Sequence, residues 1–258
     1  MASVRALEGG TSAAIHAVGL ADGTRLVLRR LVLADWLVRE PDLAAREADA
    51  LRFLAATPVP APQLVAVDPH GAECDVPALL MTRLPGRVRI DEPVDVAAMA
   101  EALHAVRAVT PAGIPATRRY QPYNLGEPLA PPSWSARTSL WERAIEHYQA
   151  GPPPGPQSFI HRDFHAGNVL WQRGSLTGVL DWIECCMGPR GVDAGHARQN
   201  FATRLGPDAA DAFLVALGEE HDPWFDLASA VDAIEHGPQD GAVERFEDFL
   251  ARAVAALG

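Results

Sequence analysis

The chain has 258 residues, 48% of them apolar and 21% charged, a balance that suits one large globular domain or two closely packed lobes and excludes fibrous and disordered classes. All 22 basic residues are arginine, so chemistry that needs a lysine ammonium is excluded and any cationic role belongs to guanidinium. The net charge of −11 is local: residues 1–204 hold 21 acidic and 20 basic side chains (−1), whereas residues 205–258 hold 12 and 2 (−10). No basic stripe is present to displace counterions from phosphates, so neither nucleic acid nor an anionic membrane surface is an expected partner. A cationic small molecule suits the balance; solvation of outer helix faces is the alternative source of the same acidity.

Cys74, Cys185 and Cys186 form neither a paired secretory framework nor a CxxC spacing, and are expected as buried reduced thiols. The N-terminus lacks a basic segment followed by an apolar core, and no run approaches about 18 consecutive apolar residues, so a cytoplasmic location is expected. No repeat of about 20–50 residues is visible, which argues against solenoids and propellers.

In chain order, a Gly-rich turn at Glu8, Gly9, Gly10, Thr11 and Ser12 leads into Ile15–Val18. The turn residues Ala21, Asp22 and Gly23 follow, then Arg25–Leu31, predicting an antiparallel hairpin. Pro41 and Asp42 open a helix whose Leu43, Ala44, Ala48, Leu51 and Leu54 recur at helical spacing, ended by Pro58, Pro60 and Pro62. Gln63–Asp68 and Pro77–Leu84 read as strands, and Pro85-Gly86 marks a boundary between residues 1–84 and residues 85–258. Beyond it the period becomes helical at Val96–Val106 and Leu140–Tyr148. The Pro-rich stretch 151–156 delivers the chain to a loop at 159–168, then to a hairpin of Val169–Gln172 and Gly178–Asp181 turning through Arg173, Gly174 and Ser175. Helices are expected near 192–203, 208–217, 224–236 and 241–257.

The chemistry concentrates at that loop. Asp163 is followed five residues later by Asn168, and Asp181 comes thirteen after the asparagine. Phosphoryl transfer needs an oriented acceptor hydroxyl and divalent cations on the phosphate oxygens, and magnesium prefers hard oxygen ligands. Asn168 and Asp181 supply that ligand pair, leaving Asp163 for the hydroxyl.

The loop His161, Asp163, His165, Gly167, Asn168, with Asp181-Trp182 after the hairpin, resembles the aminoglycoside phosphotransferase family of the protein-kinase-like superfamily. The resemblance implies an α+β, bilobal fold: a small antiparallel sheet with one helix over residues 1–84, and a larger, mostly helical lobe over 85–258 carrying the catalytic loop, metal site and acceptor pocket. It further implies a Mg²⁺-dependent O-phosphotransferase that moves the γ-phosphoryl of ATP or GTP to a hydroxyl of a small, sometimes cationic molecule such as an antibiotic, with Asp163 as catalytic base and Asn168 and Asp181 on the metal. Gly10, Thr11 and Ser12 would cover the nucleotide phosphates. Arg29 stands where the family usually has a strand lysine; a guanidinium holds phosphate bidentately, with a different geometry. Glu47 would pair with it, and backbone groups of Thr82 and Leu84 would meet the purine. His161 would brace the loop against backbone, His165 would be structural or line the site, and Arg162 would neutralise charge or form a structural ion pair. Asp193 would cap the next helix and brace the loop, while His196 and Asn200 lie on that helix where one face could border the acceptor. Two alternatives stand beside this one: a kinase fold that binds nucleotide without turnover, suggested by Arg29, and a metal hydrolase built on His161, Asp163 and His165, which alternate as on one strand face.

Overall fold

The computed structural model describes residues 2–8, 12–89, 95–109, 118–238 and 241–258. Its first part is a five-stranded antiparallel sheet of β1 (Ser3–Leu7), β2 (Ala13–Gly19), β3 (Arg25–Leu31), β4 (Leu64–Asp68) and β5 (Ala78–Thr82), in the order β1-β2-β3-β5-β4. The β2–β3 turn forms because Gly23 takes a φ of 89° and the Asp22 carboxylate accepts the Thr24 N–H at 2.9 Å. Between β3 and β4 lie α1 (Ala34–Arg39) and α2 (Leu43–Leu54). Leu43, Ala44, Glu47, Ala48, Leu51 and Leu54 share the buried face of α2, each leucine contributing about 1.5–3 kcal/mol by leaving water.

After β5 the chain passes Gly86, whose φ is 111° and where a Cβ would stand 2.7 Å from the Trp171 carbonyl oxygen, so only glycine fits this close approach. The next elements are β6 (Arg87–Val88), α3 (Val96–Arg107), α4 (Thr138–Gln149), β7 (Gln157–Ile160), β8 (Val169–Gln172), β9 (Ser175–Val179) and β10 (Cys186–Pro189). Strand β6 joins the β8–β9 hairpin, and β7 pairs with β10. Helices α5 (Gly191–Leu205), α6 (Pro207–Leu217), α7 (Pro223–Asp232) and α8 (Val243–Leu257) complete the fold. One apolar cluster runs from Leu31, Leu51 and Leu79 under the sheet to Phe159, Trp182 and Phe201; a second joins Trp141, Tyr148, Trp224 and Leu250 of α4, α7 and α8. The architecture is α+β, a small sheet with a helix followed by a mostly helical remainder, as expected.

Several details differ from the sequence reading. The second strand of the β8–β9 hairpin is Ser175–Val179 rather than Gly178–Asp181. The turn needs only Arg173 and Gly174, both at positive φ (52° and 86°), the two-residue type I′ pattern. Leu180 still gives its N–H to the Asn168 carbonyl at 2.8 Å, and Asp181, at a φ of 64°, turns the chain out of the strand. Strands β1 and β6, helix α1 and the β7–β10 pairing were not anticipated. Of the three free cysteines, Cys186 is buried while Cys74 and Cys185 are partly exposed. No helix among the described residues is long and apolar enough to cross a membrane.

Candidate active site

The loop after β7 is fixed from below by Asp193. Its carboxylate accepts the backbone N–H of His161 at 2.9 Å and of Arg162 at 2.6 Å, where Arg162 is held at a φ of 73°. Asp193 braces the loop but does not cap α5: the capping position belongs to Arg190, and Asp193 sits inside the first helical turn with its carboxylate turned onto the loop. Burial pushes Asp193 up, opposed by His161 and by these two hydrogen bonds. The His161 ring is buried, with Nδ1 accepting the Asp163 N–H at 3.2 Å, so its Nε2 proton is directed to the Leu180 carbonyl at 2.8 Å. One imidazole therefore ties the backbone of Asp163 to the residue preceding Asp181, and both of its nitrogens are spent.

Asp163 is held on each oxygen. The Asn168 side-chain amide donates to its carbonyl at 2.9 Å and to Oδ2 at 2.7 Å. His196 Nε2 lies 3.0 Å and His165 Nε2 3.6 Å from Oδ1. Burial works to raise Asp163, but hydrogen bonds and charge from the two histidines outweigh it and hold the carboxyl well below the usual range. The same contact raises His196 against the effect of its burial. Asp163, His165 and His196 offer ligand atoms within 4.8 Å of one another. Yet the Gly167 N–H donates to His165 Nδ1 at 3.0 Å, which places the imidazole proton on Nε2, facing Asp163. A metal ligand must present a lone pair there, so the trio is a hydrogen-bonded carboxylate, and His161 is withdrawn from it altogether.

On the opposite wall, Arg29 Nη1 meets Glu47 at 2.8 Å and Asp181 at 2.7 Å. The register of β3 turns Arg29 into the interior, while Arg30 bonds the Cys74 carbonyl at 3.0 Å on the other face. Burial works against the Arg29 charge, but the two carboxylates overcome it and hold the guanidinium above its ordinary value. Burial pushes Glu47 up to about 7 despite Arg29.

Two cavities meet at these residues. A cleft of about 870 Å³ runs between sheet and helices past Ser12, Val27, Arg29, Glu47, Leu84 and Asn168. A cavity of about 360 Å³ lies beyond, walled by Trp36, Tyr120, Tyr123, Phe225, Glu184 and Asp232. Asp163, Asp181 and His196 border both. Thr82 and Leu84, whose backbone groups are expected to meet a purine, both line the larger cleft, and the Thr82 N–H is already given to the Gln63 carbonyl at 2.9 Å. His165 and Asn200 line the cleft as well. Gly10 and Thr11 lie outside the described residues. Arg162 forms the ion pair that was one of its two expected uses: it stands 3.6 Å from Glu184 and 3.9 Å over the Tyr123 ring.

A model of the phosphotransferase enzyme family matches residues 3–223. The chain belongs to this family. No curated protein matches it. Among solved structures, the aminoglycoside phosphotransferase APH(4)-Ia superposes with a TM-score of 0.68 at 16% identity, covering 100% of this chain and 94% of the other. A thermostable mutant of that enzyme, in ternary complex with ADP and hygromycin B, gives 0.67 at 15% identity, with coverage of 99% and 94%. An amicoumacin kinase in complex with AMP-PNP, Ca²⁺ and Ami gives 0.57 at 14%, with coverage of 98% and 88%. At these identities the likeness establishes the shared kinase-like fold. By family the chain is thus a phosphotransferase enzyme.

Sequence reasoning missed the hydrogen bond of His196 to Asp163, as well as Tyr120, Tyr123, Glu184 and Asp232. A signal existed for His196, three residues after Asp193 on one helix. None existed for the others, which come from a proline-broken segment, a β-bend and the far end of α7.

Proposed function

We propose that the phosphotransferase moves the γ-phosphoryl group of ATP or GTP to a hydroxyl of a small molecule, with Mg²⁺ bound by Asn168 and Asp181 and with Asp163 facing the acceptor. The observation that carries this reading is that Asp163 and Asp181 border both the larger cleft and the smaller cavity, so a donor in one and an acceptor in the other would meet between them. Residues 1–84 would cover the nucleotide and residues 85–258 would carry the loop, the metal ligands and the acceptor.

The donor set fits a hard cation. Asn168 spends its amide N–H groups on Asp163, which turns its amide oxygen away as a ligand, and Asp181 contributes a carboxylate. When bound, Mg²⁺ supplies neutralisation of charge on the phosphate oxygens. Arg29, anchored by Glu47, would orient the phosphates, and the backbone of Leu84 would meet the purine. Asp163, kept ionised by its histidines, would align the hydroxyl and accept its proton late in transfer, a contribution mainly of orientation.

A phosphotransfer screen tests the reading: ADP or GDP release measured with Mg²⁺ across aminoglycosides, macrolides, peptide antibiotics and simple alcohols. Stimulation by at least one class supports it; nucleotide binding without acceptor-stimulated release from any class would favour the reading without turnover.

A further inference from the structure

Four carboxylates border the smaller cavity: Asp163, Asp181, Glu184 and Asp232. Three already meet a basic side chain of the protein. His165 and His196 stand on Asp163, Arg29 on Asp181, and Arg118 and Arg162 on Glu184 at 3.7 and 3.6 Å. Asp232, the last residue of α7, is the exception. Among the described residues no arginine or histidine nitrogen lies within 4.0 Å of its carboxylate, and its hydrogen-bond donors are the neutral Tyr148 hydroxyl and the Tyr123 backbone N–H. That hydroxyl accepts the Asn124 N–H at 2.9 Å, and the Asn124 amide holds the Val231 carbonyl at 3.3 Å. The carboxylate is therefore fixed at the cavity wall. Asp232 is half-buried, and desolvation pushes it up to about 6 although the Tyr148 hydrogen bond and the more distant charges of Arg162 and His196 act against that.

The remaining cation of the cavity is engaged elsewhere: Arg162 pairs with Glu184 and lies over the rings of Tyr123 and Tyr120, at 3.9 and 5.4 Å from their centroids. The other surfaces are aromatic, from Trp36 and Phe225. At about 360 Å³ the space stands at the small end of the roughly 300–1,000 Å³ of ligand pockets, which suits a compact acceptor rather than a chain of sugars.

We propose that Asp232 is the recognition group of the acceptor site, and that the acceptor is a compact, one-ring alcohol carrying a single ammonium group, which pairs with Asp232 while its hydroxyl turns to Asp163. The assignment rests on Asp163 as the group facing the acceptor. It differs from a polycationic acceptor because three of the four carboxylates are already balanced within the chain.

The test reads binding without turnover. The whole protein, loaded with a nonhydrolysable ATP analogue, is titrated by calorimetry or saturation-transfer NMR with trans-4-aminocyclohexanol, with the neutral trans-1,4-cyclohexanediol and with a three-ring aminoglycoside. The amino alcohol is expected to bind at least about tenfold tighter than the diol, the factor of one net ion-pair contribution of about 1.4 kcal/mol. Asp232→Asn and Asp232→Ser should both abolish the difference, with Asp232→Asn melting no lower than the wild type. Equal affinity for amino alcohol and diol, including none for either, would overturn the assignment in the unmodified protein alone. So would discrimination that survives in the variants, tighter binding of the aminoglycoside, or a lower melting temperature that marks Asp232 as a structural acceptor for Tyr148. Bound amino alcohol with no release of ADP under Mg-ATP would support the recognition group by itself, while the phosphoryl-transfer reading fails only if no class in the acceptor screen stimulates release, so the two failures are distinct.

Discussion

Arg29 Nη1 lies 2.7 Å from Asp181 Oδ1 although 152 residues separate them. The same nitrogen holds Glu47 at 2.8 Å, so one guanidinium joins the sheet, α2 and the segment after the β8–β9 hairpin. Removing one partner of such a buried pair leaves the others uncompensated, a loss of about 3–5 kcal/mol. Arg29→Ala should lower the free energy of urea unfolding by that order and abolish nucleotide binding in calorimetry. Arg29→Lys should recover part of the stability but not both contacts, since an ammonium lacks the planar fork.

Asp232 predicts a pH dependence with a definite sign. Its carboxyl is pushed from the ordinary 3.8 to about 6 in the folded chain. The folded state therefore binds more protons than the unfolded state between those values, and this group's contribution to stability falls as pH rises through the window. After allowance for solvent access, Asp232→Asn should gain on the order of 1–2 kcal/mol at pH 7 and lose that part of the decline between about pH 4 and 6. Urea unfolding of both proteins across pH 4–8 measures this, and parallel curves for the two would contradict it.

His196 holds Asp163 from α5, at 3.0 Å. His196→Ala should lower kcat by about tenfold through lost orientation while leaving the KM for nucleotide near its original value. His196→Gln, which keeps a donor, should be milder. Steady-state kinetics with each substrate varied separates the two parameters.

Helices α5 and α7 carry His196 and Ser229 to the same cavity, and glycine sets how closely they approach. A Cβ at Gly195 would stand 2.3 Å from the Phe225 carbonyl oxygen, backbone that cannot swing aside. Gly195→Ala should cost about 1–3 kcal/mol or more by overpacking and, in the surviving folded fraction, reduce kcat more than nucleotide affinity. Thermal melting and active-site titration provide the two readouts.

The parts of this fold legible in the sequence are those with local signals. The β2–β3 hairpin declares itself through Asp22-Gly23, α2 through its leucine spacing, and the trio Asp163, Asn168 and Asp181 through short intervals around one hairpin. Strand β10, Cys186–Pro189, has no alternation to mark it, and its pairing with β7 is non-local. Helix α1 has no buried residue and no side-chain cap, so neither periodicity nor capping chemistry betrays it. The smaller cavity joins Trp36, Tyr123, Glu184 and Asp232 from four distant segments, a grouping that only packing creates. Arg29 and Glu47 became a pair in the sequence reading through family resemblance rather than through any spacing of their own.

The division of labour between the two aspartates is tested most directly by comparing Asp163→Asn with Asp181→Asn in one set of assays, nucleotide affinity by calorimetry with Mg²⁺ and turnover with the best acceptor from the screen. Asp163→Asn is expected to bind Mg-nucleotide almost as the wild type does while kcat falls by at least about 10²-fold, the order associated with loss of a positioned base. Asp181→Asn is expected to weaken metal-dependent nucleotide binding itself. Mild and equal effects of both substitutions would contradict these separate roles.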